Sequence, residues 1–217
     1  MSANDTAVAL HLSAPLDSDG FPSSAAWESA RPVTFDADWQ GKNADPLRQT
    51  EVRVLWTPEL LFLHFRCFFR TLTVFPADDP RAEPSGRLWQ LWDRDVAEVF
   101  LQPDPAHPER YFEFEVSPNG LWIDLDIRPG EKLDPHSGLK RRVSHGVCKK
   151  IWLAELAIPM RSLTPSFNPA ATWRVNFFRC EGASEPRFYS AWRPTHTPQP
   201  NFHVPAAFGH LMFAQAS

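Results

Sequence analysis

Between residues 91 and 127 the chain reads LWDRDVAEVFLQPDPAHPERYFEFEVSPNGLWIDLDI, three strand-length runs in which carboxylates alternate with large apolar side chains. A period of two sends neighbouring side chains to opposite faces of a strand. Val96, Glu98 and Phe100 therefore point one way, and Ala97, Val99 and Leu101 the other. Tyr111, Glu113 and Glu115 stand against Phe112, Phe114 and Val116, and Trp122, Asp124 and Asp126 stand against Leu121, Ile123 and Leu125. The pattern predicts a sheet with one dry face and one acidic, aromatic face. Between the second and third runs, Ser117-Pro118-Asn119-Gly120 predicts a tight turn, with Asn-Gly supplying positive φ angles.

The rest of the chain is punctuated in the same way. Val8 to Leu12 is a short strand, and a helical turn is expected near Ala25 to Ser29. EVRVLW (51–56) and LLFLHFRCFFR (60–70) form a hairpin whose core face is Leu61, Leu63, Phe65, Cys67 and Phe69. Residues 76–90 are a Pro-rich loop and 129–146 a basic loop or weak strand. IWLAELAIP (151–159), TWRVNFFRC (172–180), RFYSAW (187–192) and FGHLMF (208–213) complete the set. Nine to eleven strands without a long helix predict an all-β fold, an antiparallel two-sheet β-sandwich of jelly-roll type.

Composition supports this reading. The 22 prolines are about twice the usual share, and the 9 glycines fall below theirs, as many Pro-bounded loops between short strands require. A chain of 217 residues is read as a single domain, 1–217, able to bury a core without staples. With 22 Lys+Arg against 26 Asp+Glu, nothing suggests a nucleic-acid partner, and no apolar stretch reaches the length of a membrane span. A monomer is the simplest expectation. The start, MSANDTAVALHLSAPLDSDG, has neither the basic nor the apolar part of a secretory leader. Cytoplasmic residence is the default expectation, with export the alternative for a chain whose leader has been removed.

Cys67, Cys148 and Cys180 lack metal or redox spacing, and Cys67 and Cys180 are expected as buried free thiols. His107, His136, His145, His196 and His203 show no ligand spacing and are read as solvent-facing or capping residues. Carboxylates beside Trp and Tyr suit a carbohydrate, because a flat ring covers the C–H face of a sugar while the carboxylate takes its hydroxyls.

The blocks DVAEVFLQPD, YFEFEVSPNG, W-x-AELAIP, WRVNFFR, YSAW and FHVPAAFG followed by LMF occur in an order that resembles the family 9 carbohydrate-binding modules, in their single-domain "family 9-like" branch. The resemblance covers about residues 50 to 213. It implies a β-sandwich that binds a mono- or oligosaccharide, often with structural calcium and without catalytic apparatus. It implies, further, that Trp92 and Phe202 sandwich the sugar, with Glu98 as acceptor and Asn201 and Gln199 as amide partners. The family's arginine has no direct match on the strand that carries Glu113, so Arg66, Arg70 or Arg179 is expected to replace it. Asp93 and Asp95 are candidates for a calcium loop.

Two other readings compete. A glycan hydrolase would pair Glu98 with Glu113 or Asp124. A haem-binding or scaffold sandwich would need His and Met ligands, yet Met160 and Met212 are the internal methionines and Met212 is expected in the core.

Overall fold

The computed structural model describes residues 5–146 and 149–215. Thirteen strands carry it: β1 (Thr6–His11), β2 (Val33–Phe35), β3 (Thr50–Trp56), β4 (Leu60–Phe68), β5 (Val96–Gln102), β6 (Tyr111–Val116), β7 (Trp122–Arg128), β8 (Glu131–Leu133), β9 (Lys140–Gly146), β10 (Ile151–Pro159), β11 (Trp173–Glu181), β12 (Phe188–Ala191) and β13 (Gly209–Ala214). Two short helices, α1 (Ser24–Ser29) and α2 (Met160–Leu163), join them. The all-β expectation holds, with more strands than the predicted nine to eleven. β2 and β8, three residues each, are too short to show a period in sequence. Among the described residues no helix is long and apolar enough to cross a membrane.

The two-sheet antiparallel arrangement needs correction. The strands form one continuous hydrogen-bonded path, β8-β7-β6-β5-β11-β13-β1-β3-β4-β10-β9, with β12 beside β11 and β2 beside β3. β1 runs parallel to both β13 and β3, and this seam joins two otherwise antiparallel halves. The path curls until the halves face each other. Ala97, Val99, Leu101, Phe114 and Phe177 from one half share a core with Val54, Leu63, Phe65, Trp152 and Leu156 from the other, and the Phe65 and Phe177 rings lie 6.3 Å apart. The hairpin β3–β4 buries Leu61, Leu63, Phe65, Cys67 and Phe69 there as its alternation predicts.

Each outer face has its own apolar cover. α1 and the N-terminal segment bring Leu12, Phe21 and Trp27 onto Leu55, Phe62 and Ala157. On the opposite side Phe75, Leu88, Leu91, Phe202 and Phe208, from loops, cover Val96, Phe100, Ile123, Leu125 and Phe178. Cys67 lies in the inner core and Cys180 in this outer layer, both as free thiols; Cys148 lies outside the described residues. Met212, expected in the core, is 45% exposed, because Leu211 takes the inward position of β13.

The turn before β7 decides a face. Gly120 adopts φ +85°, the only positive φ of Ser117-Pro118-Asn119-Gly120, and its N–H donates to Ser117 O at 3.0 Å while Ser117 N–H donates to Leu121 O at 2.9 Å. An extra residue in a turn exchanges the two faces of the strand that follows. Glu113 consequently pairs with Leu125 and Glu115 with Ile123. Trp122, Asp124 and Asp126 therefore point to the side of Phe112, Phe114 and Val116, opposite to the expected one.

Gly209 opens β13 against the chain start. A Cβ there would meet Asp5 O and Trp192 Cη2, each at 2.7 Å, and a backbone carbonyl cannot yield as a side-chain tip can. Gly209→Ala is expected to lower stability by about 1 to 3 kcal/mol, read from chemical denaturation; an unchanged midpoint would show that this corner is looser than described.

Candidate functional site

A cleft of about 430 Å³ opens on the outer face of the β5–β6 half. Its floor follows from register. Glu98 faces Glu115 across β5–β6, and Phe100 faces Glu113, so all four side chains stand on one side. Phe178 pairs with Glu98, which brings Phe178 and Cys180 of β11 to the same side. Ile127 pairs with Lys132, so Lys132 on the edge strand β8 reaches the cleft as well. Tyr189 of β12 and the connecting segments that carry Trp92, Asp93, Glu185, Arg187, Asn201, Phe202 and His203 complete the walls.

The structure thus brings together Trp92, Glu98, Glu113, Asn201 and Phe202, with Asp93 beside them. It does not bring the expected arginines. Arg179 pairs in register with Ala97 and so points inward, where it is fully buried. It donates to Phe68 O at 2.9 Å and to Glu181 Oε2 at 3.2 Å. Arg66 lies over the Phe68 ring and lines a different cleft with Trp27 and Glu155, and Arg70 is bound to Asp45 at 2.9 Å. Asp124 is on the wrong face to partner Glu98. It accepts from Arg87 Nε at 3.0 Å and from the Ser137 hydroxyl at 2.5 Å. Gln199 is not among the cleft residues.

Sequence reasoning missed Lys132, Arg187, Tyr189 and Glu185. Arg187 is a brace: its guanidinium donates to Gly182 O, Trp92 O and Arg94 O at 2.9, 2.7 and 3.0 Å. Through Trp92 O it fixes the backbone of the loop that carries the Trp92 ring. Lys132 Nζ lies 4.9 Å from the centre of that ring and 3.2 Å from His203 Nε2. An ammonium can only donate, so Nε2 accepts and the proton of a neutral His203 sits on Nδ1, 2.7 Å from Tyr111 Oη. His203 is exposed, as its sequence context predicts, and it links wall and floor through Lys132 and Tyr111.

Phe202 offers only part of its ring to the cleft. Its ring stacks on Phe178 at 4.2 Å and 13°, so one face is already covered. Trp92 is half-buried, and Trp89, 49% exposed, meets it edge-on at 5.2 Å. Asn201 is exposed, and its Oδ1 accepts from the His203 N–H at 3.0 Å, leaving the amide Nδ2 to donate.

Three carboxylates on one patch of floor are an electrostatic problem. Burial, then Glu113, pushes Glu98 up to about 8, and burial followed by Glu98 and Glu113 pushes Glu115 well above the usual range. Glu98 Oε1 has the Cys180 thiol at 3.4 Å. Both Glu115 oxygens and Glu113 Oε2 are buried without a hydrogen-bond partner.

Asp93 and Asp95, paired as calcium candidates, are separated. Asp93 lines the cleft, whereas Asp95 is fully buried outside it, with Oδ1 accepting from Gly182 N–H at 2.6 Å and Oδ2 unpartnered. Burial raises Asp95 to about 6, against the opposing pull of the Gly182 N–H and Arg179. A carboxyl whose folded value exceeds its unfolded one costs nothing below about pH 4 and progressively more up to about pH 6. The full cost is on the order of 3 kcal/mol, and an amide N–H buried in its place returns about 1. Asp95→Asn is therefore expected to raise the melting midpoint at pH 7.5 and to lose that gain at pH 4. An equal effect at both values would contradict the assignment.

The chain is similar to known proteins in part of its sequence and in its fold. The sequence model of Carbohydrate-binding family 9 matches residues 140–213, the stretch from β9 to β13. A family 9 carbohydrate-binding module from Caldicellulosiruptor kristjanssonii, solved with cellotriose, superposes with a TM-score of 0.65 at 12% identity over 98% of this chain and 95% of that one. The chain resembles the family 9 carbohydrate-binding modules. The same module solved with glucose gives 0.65 at 12% identity, over 98% and 97% of the two chains. A Bacteroides uniformis protein of proposed carbohydrate-binding function gives 0.71 at 19% identity, over 96% and 99%. An "Extracellular protein" of Arthroderma benhamiae is 24% identical over 77% of this chain and 80% of its own length. Beyond the family 9 match, the structural likenesses establish the fold.

Proposed function

We propose that the cleft binds a saccharide and that the protein is a non-catalytic binding module. The observation that carries this reading is convergence: Trp92, Glu98, Glu113 and the Asn201-Phe202 pair come from four separate segments yet line one cleft. Trp92 supplies the stacking surface, and the uncovered part of Phe202 closes the opposite wall. Lys132 and the Asn201 amide donate to ring or hydroxyl oxygens in place of the expected arginines. Glu98, protonated near neutral pH, both donates and accepts. Trp89 at the rim offers a surface to a second sugar unit. The modules from C. kristjanssonii solved with cellotriose and glucose support the choice of ligand class.

Roughly 75 to 150 Å² of apolar contact at ~25 cal/mol per Å² gives about 2 to 4 kcal/mol before hydrogen bonds and ordering costs. Affinity between millimolar and micromolar follows.

Placement of the acids favours holding over cutting. A glycosidase sets two carboxylates on opposite sides of the scissile bond. Glu98, Glu113 and Glu115 all rise from one sheet face, and Asp124 points to the other. Thermal unfolding against a panel of mono- and oligosaccharides tests the reading, since a ligand of the folded state raises the midpoint. A saturable, sugar-specific rise supports it; no rise with any sugar at tens of millimolar rejects it.

A further inference from the structure

The strand order leaves a notch in the wall of the fold. β3 is paired with β2 at Thr50 to Val52 and with β1 only from Val54 onward. Thr6 to Val8, the first half of β1, are therefore paired with β13 alone. A gap of about 430 Å³ opens between this half of β1, the segment that leads into β2, and the Trp192-Arg193 step that follows β12. Arg31, Arg193, Thr6 and Thr34 line it together with the half-buried Trp192, and none of its lining residues carries a carboxylate. It shares no residue with the cleft beneath Trp92.

The backbone of this notch is held firmly, while its side chains are left with donors to spare. Asn176, fully buried, clamps Arg193 twice: its Oδ1 accepts from the Arg193 N–H and its Nδ2 donates to Arg193 O, each at 2.9 Å. Trp192 N–H donates to Phe177 O at 2.9 Å. On the other wall Arg53 donates to Ala30 O at 2.7 Å, and Pro32 restricts Arg31, the residue before it, to extended backbone. Arg193 meets Asp5 through Nη1, but its Nε is buried without a hydrogen-bond partner. Arg31 is exposed, and among the described residues neither its guanidinium nor the Thr6 and Thr34 hydroxyls are taken. Two guanidinium charges against the single Asp5 carboxylate leave one positive charge over.

We propose that this notch is a second binding site, for a uronic acid: a sugar-sized, hydroxylated ligand with one carboxylate. One uncompensated charge matches a monoanion, and Arg31 presents the planar fork that holds a carboxylate through two parallel hydrogen bonds. An acceptor that reaches Arg193 Nε also relieves a buried donor that otherwise has no partner. Thr6 on one wall and Thr34 on the other suit hydroxyls rather than a hydrocarbon chain, and the open part of the Trp192 ring covers a sugar's C–H face. The site stands whether or not the Trp92 cleft binds a saccharide.

Following the indole N–H resonances of the whole chain while sodium galacturonate or sodium glucuronate is added tests the site, with glucose as the neutral probe and sodium acetate as the merely charged one. Saturable movement of the Trp192 signal is expected with a uronate, and roughly tenfold weaker binding of glucose and of acetate. Arg31→Gln, at an exposed position, is expected to fold as the wild type does and to lose roughly tenfold in uronate affinity at Trp192. Arg31→Lys keeps the charge without the fork and is expected to recover only part of that loss. In Trp92→Ala the Trp192 response is expected to persist, which separates this site from the saccharide cleft. No movement of Trp192 at tens of millimolar uronate, an equal response to acetate or glucose, or unchanged affinity in folded Arg31→Gln overturns the proposal and leaves the Trp92 cleft untouched.

Discussion

Replacing Trp92 by alanine is expected to weaken saccharide binding by roughly tenfold to fiftyfold, the equivalent of ~50 to 100 Å² of stacked apolar surface. The loss should appear without a matching loss of fold. Trp92 is only half-buried, and its loop is held through backbone groups: Arg187 donates to Trp92 O at 2.7 Å whatever the side chain at that position. The alanine variant also frees Lys132 from the ring it covers at 4.9 Å, so some donor capacity survives and binding is weakened rather than abolished. Parallel titration and melting of wild type and Trp92→Ala separates the two effects. Unchanged affinity in a folded variant would remove Trp92 from the site.

The second large effect is structural and follows from the altered face of β7. Arg87→Met is expected to destabilise the protein by about 3 kcal/mol, because it leaves the Asp124 carboxylate, 1% exposed, without its counter-charge. Arg87 Nε donates to Asp124 Oδ1 at 3.0 Å and Nη2 to Asp124 O at 2.9 Å, so both side chain and backbone lose a donor. Ser137 remains on Oδ2 through its hydroxyl and its N–H, which keeps the cost at the lower end for a broken buried pair. Adding Asp124→Asn removes the stranded charge and keeps an acceptor for Ser137. The double variant is therefore expected to recover more than half of the loss in denaturant unfolding. No recovery would mean that Arg87 acts by anchoring the loop it sits on rather than by neutralising Asp124.

How far alternation can be read is visible in these same residues. Ile151–Pro159 is both the run predicted from IWLAELAIP and the strand observed, and Glu113 and Glu115 share one face of β6 as their spacing predicts. Alternation is local and survives any fold that keeps the strand. Which strands share a face is not local: the single extra turn residue ending at Gly120 moved Asp124 and Asp126 to the inner side. Arg179 and Asn176 differ by an odd number of positions and cannot share a face; Asn176 stands with Phe100, and Arg179 goes inward. Lys132 lies in a three-residue strand with no period to read and becomes legible only once Ile127 is known to be its partner. The single curled sheet was hidden for a related reason, since the parallel seam at β1 is formed by segments near the two ends of the chain.

The claim that the cleft beneath Trp92 is the saccharide site is tested most directly by following the indole N–H resonances of the protein while cellotriose or glucose is added. Nine tryptophans give distinct reporters on both sides of the fold. The account predicts saturable movement of the Trp92 signal, accompanied by Trp89 for the longer sugar, while Trp27 in the opposite cleft and buried Trp152 stay still. Movement of Trp27 alone, or of no indole at tens of millimolar sugar, would contradict it.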